Sequence, residues 1–99
     1  MKLALFLSDL RRTEDTYDRL KAEKLGVILV ENGIYHAVMK EGGKDSPVLS
    51  KAGATFYALA DDLEMRGFTA ANVNPKVKVV SYGDIVDLIM NEYEKTAWL

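Results

Sequence analysis

Cysteine is absent from the 99-residue chain. That absence excludes disulfides, thiolate zinc sites, iron–sulfur ligation, and any thiol nucleophile or persulfide carrier on this chain. Long apolar runs are missing as well, and nothing approaches the ~20 residues needed to cross a bilayer. Leu3, Ala4, Leu5, Phe6 and Leu7 give way at once to Ser8, Asp9 and the Arg11-Arg12 pair. That is too short for a secretion signal and right for a strand. The expected location is therefore the cytoplasm, with no membrane partner. An excess of positive charge is also lacking: 13 Lys and Arg face 15 Asp and Glu, a formal charge of −2. Such a surface attracts phosphate backbones weakly, so direct nucleic-acid binding is not expected. The glycine-rich phosphate cradle is missing too, because Asn32-Gly33 alone matches neither the P-loop nor the dinucleotide fingerprint. No cofactor or metal motif is present.

What remains is ordinary globular composition, 48% hydrophobic and 28% charged, which argues against disorder. A chain of this size folds as one domain over residues 1–99, hiding about two-thirds of its extended surface. Four short apolar runs alternate with helical patterns, and no repeat or linker interrupts them. The runs are residues 3–7, 26–30, 54–59 and 77–80. The second is unbroken, as expected of a strand buried on both faces. Lys78 marks the fourth as edge-like.

Helices are expected over residues 14–24, capped by Thr13 with Tyr17, Leu20 and Lys24 along its inner side, and over residues 33–40 with Asn32 as N-cap. Gly42-Gly43 breaks the second. Ser46-Pro47 opens a short helix that Gly53 stops, and another runs over residues 61–66 to Gly67. The last begins at Ser81, with Asp84 completing a capping-box pair, and Ile85, Val86, Leu88, Ile89 and Tyr93 recur at helical spacing. This alternation predicts an α/β architecture of three layers, α/β/α, around a mainly parallel sheet of four or five strands.

In such sheets ligands bind beyond the carboxyl ends of the strands. That rim carries Ser8-Asp9, Glu31-Asn32-Gly33, Ala60-Asp61-Asp62 and Ser81-Tyr82. Asp9 with Asp61 or Asp62 could hold Mg²⁺ beside a phosphorylatable carboxylate, although no fifth strand bearing a lysine is in view to steady a phosphoryl group. The plainer reading places these carboxylates at helix starts, where the dipole favours them. His36, the only histidine, has no partner in the sequence and reads as a surface or satisfied residue rather than a base. Tyr35, Tyr57, Tyr82 and Tyr93 could line a pocket or an interface, but aromatic residues at element starts and on apolar faces are usually core. The ending Thr96-Ala97-Trp98-Leu99 is too apolar to leave in water, at roughly 1.5–3 kcal/mol per large side chain. It must dock on its own domain or on a partner.

Several stretches together resemble the DsrH/TusB family. Leu29-Val30-Glu31-Asn32-Gly33-Ile34-Tyr35-His36-Ala37-Val38 is similar to its strand, acidic residue, Asn-Gly-Ile-Tyr segment. Tyr57-Ala58-Leu59 followed by Asp62-Leu63 and Arg66-Gly67-Phe68 is similar to a second motif. The run from Val79 to Leu88 and the ending Ala97-Trp98-Leu99 complete a resemblance spanning residues 26–99, with the first 25 matching poorly. The resemblance implies a DsrE/F/H-like fold and membership of a sulfur relay. Such subunits form TusBCD, which passes persulfide sulfur toward 2-thiolation of the tRNA wobble uridine, or DsrEFH, linked to sulfur oxidation. Both are hetero-oligomers built from paired trimers. Some members carry a cysteine in the first helix region, which falls near Tyr17 here, and a tyrosine cannot form a persulfide. The expectation is a non-catalytic subunit packed against TusC/TusD- or DsrE/DsrF-like sisters, with self-association left open. Partner-interface or pocket candidates are Glu31, Asn32, Gly33, Tyr35, Asp62, Arg66, Tyr82 and Trp98. Two rival readings are a stand-alone homo-oligomeric module binding a small ligand at the acidic rim, and an Mg²⁺-dependent phosphoacceptor using Asp9 and Asp61.

Overall fold

Alternating leucines in the first strand set the plan of the molecule. In the computed structural model, which describes residues 2–8, 24–38, 40–41, 44–45, 47–50 and 53–98, β1 (Lys2–Leu7) turns Leu3, Leu5 and Leu7 to one face and Ala4 and Phe6 to the other. Strand β2 (Lys24–Leu29) repeats the division, with Leu25, Val27 and Leu29 opposite Ile28. So does β5 (Ala54–Leu59), with Phe56 and Ala58 opposite Tyr57 and Leu59. Side chains of period two on a sheet apolar on both faces require two covering layers.

Strands β6 (Val77–Val80) and β7 (Lys95–Trp98) complete a five-stranded sheet of order β6-β5-β2-β1-β7, and every pairing is parallel. β6 lies at an edge with Lys78 exposed, as its lysine suggested. The apolar ending is the fifth strand. It pairs with β1 in the register Leu3 to Lys95 through Phe6 to Trp98. Reciprocal bonds pin its start: the Glu94 N–H donates to the Lys2 carbonyl at 2.8 Å, and the Lys2 N–H to Glu94 Oε1 at 2.9 Å.

The first face is covered by a 3₁₀ turn (Glu31–Ile34), α1 (Tyr35–Val38), a second 3₁₀ turn (Pro47–Ser50) and α2 (Ala60–Met65). Their Ile34, Ala37, Leu49 and Leu63 are buried against the leucines of β1 and β2, each larger side chain adding roughly 1.5–3 kcal/mol. α2 ends in a Schellman turn. Phe68 N–H donates to the Leu63 carbonyl and Gly67 N–H to that of Glu64, with Gly67 at φ +80°, a conformation glycine adopts without strain. The second face holds α3 (Tyr82–Asn91), opened by the expected capping box: Asp84 N–H donates to Ser81 Oγ and Ser81 N–H to Asp84 Oδ2, both at 3.1 Å.

Several expectations need correction. Asn32 does not cap a helix over residues 33–40. The chain forms the 3₁₀ turn from Glu31 with no side-chain cap, and then only one turn of α1. Lys40–Glu41 is instead β3, antiparallel to β4 (Lys44–Asp45). The Gly42-Gly43 pair between them has hairpin chemistry that a helix-breaking reading overlooked. Lys24, expected to end a helix, begins β2. Thr13, Tyr17, Leu20 and the rest of residues 14–23 lie outside the described residues, as does Ser46. Of the residues at helical spacing, Val86 is exposed and Tyr93 lies beyond the end of α3.

Two glycines are required by close approach. A Cβ built on Gly33 would overlap the Leu7 carbonyl oxygen, and one on Gly26 would overlap the Tyr93 hydroxyl. The Tyr93 ring carries Lys24 Nζ 5.1 Å from its centroid, and Lys24 in turn pairs with Glu92 at 3.3 Å. Its hydroxyl is buried without a hydrogen bond. Burial chiefly pushes the phenol's pKa above its ordinary range; Tyr57, near but outside hydrogen-bonding geometry, and Glu92 add to the shift.

Gly33→Ala is expected to destabilise by roughly 1–3 kcal/mol or more through overpacking against backbone, read as a fall in Tm of about 4–8 °C per kcal/mol. An unchanged Tm would contradict the close approach. For Tyr93, the unfolded chain ionises first once pH exceeds about 10, so stability falls as pH rises beyond that point. Tyr93→Phe is expected to flatten this alkaline loss without lowering stability at pH 7, since it deletes a buried, unpaired hydroxyl. Denaturant melts between pH 7 and 11 check both.

Candidate functional site

The strand order places the carboxyl ends of β6, β5, β2, β1 and β7 in a row. Over the middle of that row, α2 and the 3₁₀ turn meet. Asp62, in the first turn of α2, accepts the Glu31 backbone N–H at 2.6 Å. Arg66 folds back one turn: Nη1 stands 3.9 Å from Asp62 Oδ1 and donates to the Asp62 carbonyl at 3.3 Å. Its Nη2 donates to Asn32 Oδ1 at 3.2 Å. Four of the eight candidates, Glu31, Asn32, Asp62 and Arg66, are thus brought together in one network. Glu31 sits at φ +50°, uncommon for a residue with a Cβ, and the bond to Asp62 holds its N–H there.

The other candidates are placed differently. Gly33 is buried under Leu7 and serves the crossing of two chain segments. Tyr35 meets Phe68 edge to face at 5.9 Å and 87°. Tyr82 is exposed at the start of α3, and Trp98 is exposed at the end of β7 while stacked on Phe6, 4.6 Å between centroids and 14° between planes. Neither joins the network. The tail therefore docks on its own sheet, yet leaves one ring face open.

Asp61 is exposed on α2, and Asp9 lies outside the described residues. A fifth strand beginning with a lysine does exist, contrary to expectation. Lys95, however, pairs with Leu3 at the amino end of the sheet, opposite Asp61 and Asp62. The phosphoacceptor arrangement gains no lysine from it. His36 is buried in α1 and already engaged. Among the described residues no group of three or more His, Asp or Glu is placed to hold a metal ion, and no helix is long and apolar enough to cross a membrane.

Sequence reasoning missed Val86 and Met90, both exposed on α3. The signal was present: a ten-residue helix with apolar residues at 82, 85, 86, 88, 89 and 90 has more than one face can bury.

Asp62→Ala is expected to cost about 1.5–3 kcal/mol, because it orphans a backbone donor bound to a carboxylate. Arg66→Ala should cost less, about 1 kcal/mol, because its partly covered ion pair is long at 3.9 Å and its two hydrogen bonds go to neutral oxygens. Paired chemical denaturation curves test this order, and a larger loss for Arg66→Ala would refute it.

Comparison with known proteins agrees with this architecture and its motifs. A model of the family described as DsrH like protein matches residues 8–95, so the likeness extends back well before residue 26. The chain is 34% identical over 80 residues to Protein TusB of Erwinia tasmaniensis, and 31% identical over 80 residues to Protein TusB of Photorhabdus laumondii, covering 81% of each chain in both cases. Among solved structures, a protein of unknown function from Methanobacterium thermoautotrophicum shares the fold at TM-score 0.73 and 18% identity, with 97% of both chains covered. A Thermotoga maritima protein solved by NMR matches at TM-score 0.60 and 25% identity, over 90% of this chain and 93% of that one. With the strand-end motifs, the parallel sheet and the curated relatives in agreement, the chain belongs to the DsrH/TusB family.

Proposed function

We propose that this protein is a non-catalytic subunit of a cytoplasmic sulfur-relay complex. It would be held beside cysteine-bearing sister subunits of the TusC/TusD or DsrE/DsrF kind while persulfide sulfur passes toward the wobble uridine of tRNA. The observation that carries this reading is a chain without cysteine within a sulfur-handling family. A persulfide needs a thiolate sulfur, so the sulfur must ride on another subunit. Curated relatives named TusB favour the tRNA-thiolation branch over sulfur oxidation. The network of Glu31, Asn32, Asp62 and Arg66 supports a positioning role: its guanidinium is already committed to Asn32 and Asp62, leaving a firm surface rather than a reactive group. Trp98 and Tyr82, large and exposed, are the side chains on the rim best suited to contact a partner.

Co-expression with the genome's own DsrE/DsrF-type subunits, followed by affinity capture and sizing, should recover a hetero-oligomer. When that complex is loaded with sulfur from a persulfide donor, intact-mass measurement should show +32 Da adducts on a sister subunit and none on this chain. Failure to associate with any such subunit, together with a stable homo-oligomer, would overturn the reading in favour of a stand-alone ligand-binding module.

A further inference from the structure

One dipeptide of the rim carries covalent chemistry of its own. Asn32-Gly33 is the sole place in the chain where asparagine precedes glycine; Asn72, Asn74 and Asn91 precede valine, proline and glutamate. Asparagine is among the thermolabile side chains. The backbone nitrogen of the next residue can attack its amide carbon, and glycine, with no Cβ, hinders that attack least. Asn32 is exposed, so water reaches its amide, while Gly33 is buried beneath the Leu7 carbonyl. That contact makes glycine obligatory at position 33, so the labile pair cannot be relieved there.

The rim holds both reacting groups. The Gly33 N–H, whose nitrogen is the nucleophile in such an attack, donates to the Val30 carbonyl at 2.8 Å. Removing its proton sacrifices that bond in a buried place. The Asn32 side chain, the electrophile, is tied through Oδ1 to Arg66 Nη2 at 3.2 Å. The Asn32 carbonyl accepts the Tyr35 N–H, so both sides of the peptide unit joining the two residues are engaged. Arg66 is itself anchored, donating through Nη1 to the Asp62 carbonyl.

We propose that Asn32-Gly33 is a deamidation site held shut by the rim network, with Arg66 as its latch, and that it reacts only when the rim opens. In the open state the Gly33 nitrogen gives up its proton and bonds to Asn32 Cγ. The Cγ–Nδ2 bond breaks, and Nδ2 takes up a proton and leaves as ammonia. One water then adds to either carbonyl of the cyclic imide and breaks that carbonyl's bond to nitrogen, leaving aspartate or isoaspartate, with no oxidant or reductant involved. Aspartate adds a negative charge beside Glu31 and Asp62. Isoaspartate also lengthens the backbone by one carbon, which displaces Gly33 from beneath Leu7 and ends the fixed shape of the rim. The inference stands independently of the relay-subunit reading.

Peptide mapping by mass spectrometry, with digestion in acid where the reaction stalls, follows the amide-to-acid mass gain at each asparagine of the full chain aged at mildly alkaline pH. In native protein Asn32 should convert at least about tenfold more slowly than in the same chain held unfolded in guanidinium, since only the locally open fraction reacts. Arg66→Ala should speed native conversion by about fivefold, the shift in open population expected from losing the latch. Ile85→Val weakens the second core, away from the rim, and should leave the rate unchanged, because global unfolding is far rarer than local opening. The isoaspartate product should melt below unaged protein. Equal rates in native and unfolded chain would refute the protection. An unfolded chain in which Asn32 converts no faster than Asn72 or Asn91 would refute the site itself. Arg66→Ala ageing like wild type, or Ile85→Val accelerating as much as Arg66→Ala, would overturn the latch.

Discussion

The chain leaving β2 must cross the carboxyl end of β1, and it does so at a residue with no Cβ. Gly33 lies so close to the Leu7 carbonyl that any side chain would collide with backbone. The Val30 N–H donates to the same carbonyl at 3.1 Å. This contact forces the tight 3₁₀ turn, which in turn drops Ile34 and Ala37 into the first core. It also leaves Glu31 in a left-handed conformation, so its N–H requires a fixed acceptor, and Asp62 supplies one. Arg66 then has a carboxylate and an amide oxygen placed for it. The polar network at the rim is thus a consequence of how two strand ends pass each other, and its residues read first as architecture.

The sheet's two faces are unequal. The first is sealed by several short elements, whereas α3 with Tyr93 covers the described part of the second. Among the described residues that cover is one helix ten residues long, about 15 Å, and not all the apolar side chains on it and on the neighbouring β1–β7 pair are hidden. The surplus emerges as Tyr82, Val86, Met90 and Trp98. Exposed apolar residues gathered on one side of a small domain mark an interaction surface more often than scattered ones do.

For a subunit that has no thiol, this division of labour is coherent. The first face and the rim network give rigidity, the capping box and Schellman turn end their helices cleanly, and the second face offers apolar area. β7 is held at both ends, by the Lys2–Glu94 bonds and by the Phe6–Trp98 stack. Trp98 is therefore presented from a fixed strand rather than a loose tail, which lowers the entropy lost on binding a partner.

Features whose causes lie within one turn or one strand were legible from the sequence alone. The strands at 54–59 and 77–80, the Ser81–Asp84 box and the stop at Gly67 each depend on neighbours a few residues away. The absence of cysteine was a fact of chemistry independent of shape. Part of the site was legible too: Asp62 and Arg66 share a helical spacing, and the motif containing Asn32-Gly33 pointed to the right rim. Tertiary structure alone decided that Gly33 meets Leu7, that Arg66 reaches Asn32 across 34 positions, that the ending is a fifth strand beside β1, and that Val86 faces outward. Each of these is set by which strand lies beside which. Strand order is decided by the packing of segments far apart in the chain, which local periodicity does not encode.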